Sequence, residues 1–188
     1  MSIAHAPELL AHRWFFALKP DDITARQTHV FAEEELGAKG LLPWDHHHVT
    51  LGLTEDFPDV PDGLTDALLR AGDAVMTAPF NLVLDRLVGS NSSVALRPTG
   101  VVRPLRALQA SIATAMAQHG IALHPGWTFS PHETLCYRKD KPFIQPVTGF
   151  RWAVSEFVLV HSFIGLSRHE TIGRWPLHPP DDPQGTLF

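Results

Sequence analysis

The order of the predicted elements indicates an α+β protein with mostly antiparallel strands. Three segments have apolar residues at helical spacing, and they alternate with shorter segments of strand character over the first two thirds of the chain. The last third is rich in β-favouring residues and has no further helical spacing. The hairpin signal in the middle of the chain favours antiparallel pairing.

The first helix follows a short apolar segment, Arg13–Leu18, which predicts a buried strand that ends before Pro20. Asp21 or Asp22 can cap the helix, and Gly37 can end it. Its apolar residues at helical spacing are Ile23, Val30 and Phe31.

The remaining elements are predicted from periodicity and from turn residues. In chain order they are a strand in WDHHHVTLGL (44–53), a helix at 63–77, a hairpin with strands around 80–85 and 94–96, a helix that begins at Pro104 and ends at Gly120, a strand in HETLCY (132–137), a polar connection that contains prolines, a β-rich segment at 150–166 and a last strand in TIGRWPL (171–177).

Composition limits the class of protein. The chain has 188 residues, of which 44% are hydrophobic and 19% charged, and no apolar run approaches the ~18 residues of a membrane span. We expect one compact domain over residues 1–177, a frayed tail over 178–188, and a monomer that needs no protein partner and no membrane. The single cysteine, Cys136, and the lack of a secretory signal at the first residues indicate the cytoplasm.

The charge of the chain bears on nucleic-acid binding. A formal net charge of −5 argues against a protein that coats long nucleic acid, because such binding needs many cations to displace phosphate counterions. A short RNA end or a small nucleotide remains compatible with this charge. Most of the twelve histidines are scattered and are typical of surface or packing positions.

Two short motifs repeat in the two halves of the chain, HVTL from His48 and HETL from His132. Each follows a predicted strand or hairpin and a helix, which indicates a weak internal duplication. Two lobes related by an approximate twofold axis would bring the copies face to face. We therefore expect a bilobal molecule.

The residue types in these motifs suit acid and base chemistry on a phosphate. On a strand, His48 and Thr50 share one face, and so do His132 and Thr134. Opening a cyclic phosphate requires a base for water and an acid for the departing ribose oxygen, and histidine can serve as either near neutral pH. The threonine hydroxyls can donate to phosphate oxygens. This arrangement requires no metal and no cofactor.

A zinc site is the alternative for the run His46, His47 and His48. Adjacent residues of a strand point to opposite sides, so only His46 and His48 could share an ion, and no third ligand is evident. We expect His46 to lie at the rim of the cleft. Trp127 and Phe129 precede the second motif and could stack on a base, although core packing is the expected role of at least one of them.

The two motifs, the opening RWFFALKP and the closing FVLVHSFIGLSRHETIGRWPL resemble the two-histidine phosphoesterase superfamily, and within it the RNA 2′,3′-cyclic phosphodiesterases that were first called 2′-5′ RNA ligases. The resemblance extends to about Leu177, and it implies a bilobal fold in which two pseudo-symmetric lobes with mostly antiparallel sheets flank a central cleft. It implies hydrolysis of a terminal ribose 2′,3′-cyclic phosphate to a 2′-phosphate, with a slow reversible 2′-5′ joining reaction in some members. It also implies His48 as the acid, His132 as the base, and Thr50 and Thr134 as phosphate ligands.

The chain departs from the family pattern after the second motif. Many relatives have an arginine five residues after the motif histidine, where this chain has Tyr137, a candidate rim residue, followed by Arg138. Arg138 can bind phosphate there only if the strand ends or bulges, because one step along a strand reverses the side chain. The basic residues Arg138, Lys139 and Lys141 either attract phosphate or form a solvated loop.

Three functions remain open at this stage. The first is the enzyme acting on RNA or oligonucleotide ends, which the presence of both histidines and both threonines favours. The second is a module that binds a nucleotide or an RNA end without turnover. The third keeps the chemistry but acts on a small cyclic phosphate, such as a nucleotide or an ADP-ribose derivative.

Overall fold

The computed structural model describes residues 8–139 and 141–178. They form three α-helices, a one-turn 3-10 helix and eight strands. In chain order the elements are β1 (Ala11–Leu18), α1 (Asp22–Leu36), the 3-10 turn (Trp44–His46), β2 (Val49–Leu53), α2 (Leu64–Asp73), β3 (Phe80–Gly89), β4 (Val94–Arg97), α3 (Arg103–Gln118), β5 (Glu133–Cys136), β6 (Phe143–Val154), β7 (Glu156–Ile164) and β8 (Arg168–Pro176).

All eight strands belong to one sheet, with the order β6-β3-β4-β5-β2-β1-β7-β8 and antiparallel pairing at every step. The α+β class with antiparallel strands is thus confirmed. The expected pair of separate sheets is instead two four-stranded halves of a continuous sheet. They join where β2 meets β5, through the single residue pair Val49 and Glu133.

The internal duplication is visible in the topology. The units β1-α1-β2 and β4-α3-β5 each consist of two adjacent antiparallel strands with a helix between them. In each unit the second strand starts directly after a motif histidine, and these two strands are neighbours at the middle of the sheet. The fold therefore brings the two motifs together by strand pairing.

The helices and the main core lie on one face of the sheet. Trp14, Phe16 and Leu18 of β1 pack in the same buried cluster as the residues of α3 that the helical spacing selects, which are Leu105, Leu108, Ile112 and Met116. The intervening residues Phe15 and Ala17 point to the other face, where they form a smaller cluster with two valines of β7. This second face carries no helix over its centre and is where the motif histidines emerge.

Of the three apolar residues that the spacing selected in the first helix, Phe31 alone packs against the core. Ile23 and Val30 are 71% and 52% exposed, whereas the buried residues are Thr24, Ala25, Thr28 and Ala32. Small side chains let the helix lie close to its neighbours, and the Thr28 hydroxyl avoids an unpaired polar burial by donating to the Thr24 carbonyl. The predicted cap is present, since Asp21 accepts from the backbone N–H of Thr24.

Three predicted boundaries were wrong. The segment 44–53 is a 3-10 turn followed by a strand, so His46 and His48 do not lie on one strand. Helix α2 ends at Asp73, four residues before the predicted end. The connection predicted to be polar is the start of β6, which tolerates Pro146 because it is an edge strand.

The predicted tail lies outside the described residues from 179 onward, and the single domain over 1–177 stays a prediction. Within the described part of the chain, no helix combines the length and the apolar character needed to cross a membrane.

Helix α2 is held against β8 by a close contact that only glycine allows. A Cβ atom on Gly72 would lie 2.2 Å from the Trp175 ring, and Trp175 donates its indole N–H to Asp73 at 2.6 Å. We expect Gly72→Ala to lower the free energy of unfolding by about 1–3 kcal/mol, because the ring must move. Gly100→Ala, where a Cβ meets open space, is the control. Equal urea midpoints for the two variants would contradict this packing.

Candidate active site

A cavity of about 340 Å³ opens on the face of the sheet opposite the helices. It is lined by Arg13, Phe15, His48, Thr50, Leu53, Trp127, Ser130, His132, Tyr137, Ser162 and His169. Thr50 and Leu53 of β2 contribute to its wall, and so do His132 and Tyr137, the residues directly before and after β5. The two motif histidines therefore share one cavity.

The alternation of side chains along the motif strands explains this placement. Val49 and Leu51 are fully buried in the main core, which leaves His48 and Thr50 for the opposite face. In the second motif, Glu133 and Leu135 are buried, and His132 and Thr134 are half-buried. The structure thus places these side chains on the faces of the sheet that the sequence predicted.

Both histidine rings are oriented by the same hydrogen bond. His48 Nδ1 lies 2.6 Å from the carbonyl oxygen of His46, and His132 Nδ1 lies 2.6 Å from the carbonyl oxygen of Ser130. A carbonyl oxygen only accepts, so each Nδ1 donates its proton, and Nε2 is the atom that can take or give a proton in the cavity. The partner stands two residues before the histidine in both copies, so the duplication extends to this detail.

Aromatic rings support His48 from two sides. The ring of Phe15 stacks on it with centroids 4.8 Å apart, and the ring of His169 meets it edge-on at 5.9 Å. His169 in turn stacks on His46, with centroids 4.4 Å apart and planes 18° from parallel. These contacts limit rotation of the ring and exclude water from it.

This environment disfavours the charged form of each ring. Removal from water lowers the pKa of His48 to about 3, and the nearby charges of His169, Lys19 and His132 act in the same direction. Burial also lowers the pKa of His132, assisted by the charge of Arg97. Burial therefore favours the neutral form of both rings.

The structure brings only some of the expected phosphate ligands to the cavity. Thr50 lines it together with the two histidines, and Tyr137 lies at its rim, 67% exposed. Thr134 is half-buried on the same strand face as His132 but is not part of the cavity wall.

Arg138 and Phe129 do not reach the cavity. The guanidinium of Arg138 donates to the carbonyl oxygen of Leu36 at the end of α1, at 3.1 Å, since residue 138 points away from the side that Tyr137 takes. Phe129 packs against the main core, and it is Trp127 that contributes to the cavity wall. His46 contributes its carbonyl to His48 and its ring to the stack with His169.

His169 is the cavity residue that the sequence reasoning missed. It lines the cavity from β8, and burial with the charge of His46 lowers its pKa to about 4. The signal was present, because His169, Glu170 and Thr171 repeat the H-x-T pattern of the two motifs in the last strand. The wall residues Arg13 and Ser162 had no such signal.

The zinc alternative has no support in the described residues. Within 8–139 and 141–178, no group of three or more His, Cys, Asp or Glu side chains is arranged to hold a metal ion.

A buried contact between His47 and Glu133 lies behind the two site histidines. His47 Nδ1 is 2.9 Å from Glu133 Oε1, and both side chains are fully buried. The atoms are not aligned as a hydrogen bond, and the polar atoms of both side chains have no hydrogen-bond partner in the described structure. Each residue is next in the chain to a site histidine, so this contact connects the backbones of the two motifs.

We expect either Glu133→Leu or His47→Leu alone to lower the free energy of unfolding by about 3 kcal/mol or more, because each leaves a buried polar partner without compensation. The double variant should lose much less than the sum of the two, as a double-mutant cycle in urea would show. The exposed pair Arg174 and Glu156, at 2.7 Å, is the control, and Glu156→Gln should cost under about 1 kcal/mol. Additive losses at positions 47 and 133 would contradict the coupling.

The lowered histidine pKa values also predict how stability depends on pH. The unfolded rings, with a pKa of about 6.5, bind protons below that pH, while His48 and His169 in the folded protein stay neutral down to about 3 and about 4. The unfolded state then holds more protons, so the free energy of unfolding falls as the pH drops below about 6.5. We expect His169→Gln to reduce the difference in urea midpoint between about pH 7.5 and about pH 5. An unchanged difference would rule out His169 as a contributor.

Comparison with known proteins identifies the family. A family model for the 2′-5′ RNA ligase superfamily matches residues 19–162. LigT of E. coli in its apo form superposes with a TM-score of 0.74 at 25% identity, over 89% of this chain and 98% of that chain. A protein described as a phosphoesterase superposes with a TM-score of 0.75, also at 25% identity and over 89% and 98%.

LigT has also been crystallised with 3′-AMP, at 25% identity to this chain and a TM-score of 0.73, and with phosphate, at 26% identity and a TM-score of 0.71. Each of these structures is likewise matched over 89% of this chain and 98% of that chain. A comparison with curated protein sequences yields no match. The family model covers most of the chain, and the fold agrees over nearly the full length of LigT. The chain belongs to the 2′-5′ RNA ligase superfamily.

Proposed function

We propose that this protein hydrolyses the 2′,3′-cyclic phosphate at the end of an RNA or oligonucleotide to a 2′-phosphate. The observation that carries the proposal is the pair of histidines, one from each copy of the motif, that line one cavity with Nδ1 of each held by a backbone carbonyl. Membership of the superfamily supports a phosphodiesterase or ligase type of reaction.

In the reaction, His132 takes a proton from water through Nε2 while the water oxygen attacks phosphorus. The bond from phosphorus to the ribose 3′ oxygen breaks, and His48 donates its Nε2 proton to that oxygen. One proton enters at His132 and one leaves from His48, so the product is a 2′-phosphate and the rings return to their starting states through solvent. A 5′ hydroxyl of a second RNA that attacks phosphorus in place of water, with the same break of the bond to the 3′ oxygen and the same two proton transfers, would give a 2′-5′ linkage.

The negative charge of the substrate phosphate favours protonation of His48. His48 is neutral without ligand because burial lowers its pKa to about 3. An anionic phosphate beside the ring favours the imidazolium form, so substrate binding and protonation of the acid are coupled. Thr50, which lines the same cavity as the two histidines, can donate its hydroxyl to a phosphate oxygen on which charge accumulates.

The relatives support a nucleotide ligand of this size. LigT has been solved with 3′-AMP and with phosphate bound, and a cavity of about 340 Å³ suits one nucleotide end rather than a duplex. The aromatic rings of Trp127 and Tyr137 at the wall can stack on a base.

We expect a short RNA ending in a 2′,3′-cyclic phosphate to be converted to the 2′-monophosphate in the presence of a chelator, as followed by phosphorus NMR. His48→Ala and His132→Ala should each lower kcat by about a hundredfold or more, and kcat should have a bell-shaped pH dependence. His119→Ala, at the end of α3 and outside the cavity, is the control.

The outcomes separate the open functions. Binding of the RNA without any product would support a binding module and sink the proposed hydrolysis. Turnover of cyclic mononucleotides alone would support the small cyclic phosphate as substrate.

A further inference from the structure

A second cavity, of about 320 Å³, adjoins the active site. Its wall contains three arginines from three elements: Arg86 of β3, Arg97 of β4 and Arg106 of α3. The loop 98–102 closes one side, and Ser130 lines both this cavity and the one that holds the motif histidines. We call it the arginine cavity.

The register of the sheet places two of these arginines directly opposite each other. Arg86 and Arg97 are partners in the β3–β4 pairing, and like charges in opposite positions of an antiparallel pair are destabilising. None of the three arginines forms an ion pair with a carboxylate in the described ranges 8–139 and 141–178. Burial and the charge of Arg86 lower the pKa of Arg97. This pair of charges is unfavourable unless an anion joins it.

The third arginine, Arg106, adds its charge to the positive end of the α3 dipole. Arg106 lies in the first turn of α3, whose N-terminal end carries the positive end of the helix dipole and has no acidic residue. Val102 at the N-cap has no polar side chain to cap the backbone N–H groups. Arg106 and the uncapped N-terminal end of α3 thus lie at the same cavity.

Hydrogen bonds fix the guanidinium groups. Arg86 donates through Nη2 to the carbonyl of Pro98 at 2.8 Å, and Arg97 donates through Nη1 to the Ser130 hydroxyl at 2.7 Å. The one carboxylate at this loop, Asp85, accepts from the backbone N–H of Thr99 at 2.7 Å and so holds the loop in place. Through Ser130, whose carbonyl accepts from His132, the arginine cavity is in contact with the catalytic machinery.

We propose that the arginine cavity is a subsite for a second phosphate of the substrate, the one on the 5′ oxygen of the nucleotide that carries the cyclic phosphate. This inference rests on the proposed function and narrows its substrate to nucleotides with phosphate at both ends of the ribose. Guanidinium groups offer paired planar donors that match phosphate oxygens. The substrate anion relieves the repulsion between Arg86 and Arg97 and satisfies the end of α3.

The test compares three substrates: adenosine 2′,3′-cyclic phosphate, the same compound with a 5′-phosphate, and an adenylyl dinucleotide ending in the cyclic phosphate. The wild-type protein should prefer the second and third over the first in kcat/KM. In Arg106→Gln that preference should fall about tenfold or more, the strength of a hydrogen bond to a charged group. Arg103→Gln, on the same helix and outside the cavity wall, should keep it.

Other results overturn the inference. A preference for the dinucleotide alone would mean that the cavity reads the upstream nucleoside and not the phosphate. Equal losses on all three substrates in Arg106→Gln, or the same loss in Arg103→Gln, would reduce the arginines to a general electrostatic effect. Should the wild-type protein turn over none of the substrates, the proposed function fails. The subsite is then tested by calorimetry with adenosine 3′-phosphate and adenosine 3′,5′-bisphosphate, where equal affinities would overturn it.

Discussion

The buried contact between His47 and Glu133 lies where the two halves of the molecule depend on each other. Strands β2 and β5 are joined by one residue pair, Val49 and Glu133, and the Glu133 side chain turns inward to His47. A slip of one residue between these strands would send a site histidine to the helix-covered face. We infer that the contact specifies register more than it stabilises the fold, because a buried polar pair gains little over an apolar one.

The two faces of the sheet have different roles, because one carries the core and the other carries the candidate site. The helices and most of the apolar side chains lie on one face, where Val49, Leu51 and Leu135 anchor the motifs in the core. The other face is left with histidines whose pKa is lowered, beside arginines that repel each other. Buried histidines and neighbouring like charges both lower stability, and the fold does not require either of them. Such unfavourable features are expected at a functional site. An anionic ligand would favour the charged form of the histidines and would reduce the repulsion between the arginines.

The sequence predicted what local periodicity and repetition encode. The helices α2 and α3, the hairpin and the shared face of His48 and Thr50 follow from spacing alone. It could not predict what tertiary contacts decide: α1 packs by its small residues because the sheet lies close, and the segment around Pro146 is a strand because β3 pairs with it. The H-x-T pattern at His169 did not reveal its place in the site, because that place depends on β8, which is separated from β2 by the strands β1 and β7.

The positive charge beside the second motif comes from an unexpected strand. Tyr137 occupies the place of the arginine that the resemblance led us to expect, and Arg138 turns to the end of α1. Arg97, on the neighbouring strand β4, reaches Ser130, and its charge adds to burial in lowering the pKa of His132. That charge favours His132 as the neutral base, in agreement with the role the resemblance implies. For His48 the same electrostatics act against the acid role, since burial lowers its pKa to about 3. In the proposed reaction the compensating charge comes from the substrate phosphate itself, so an uncharged analogue would leave His48 without the proton that the proposal assigns to the leaving oxygen.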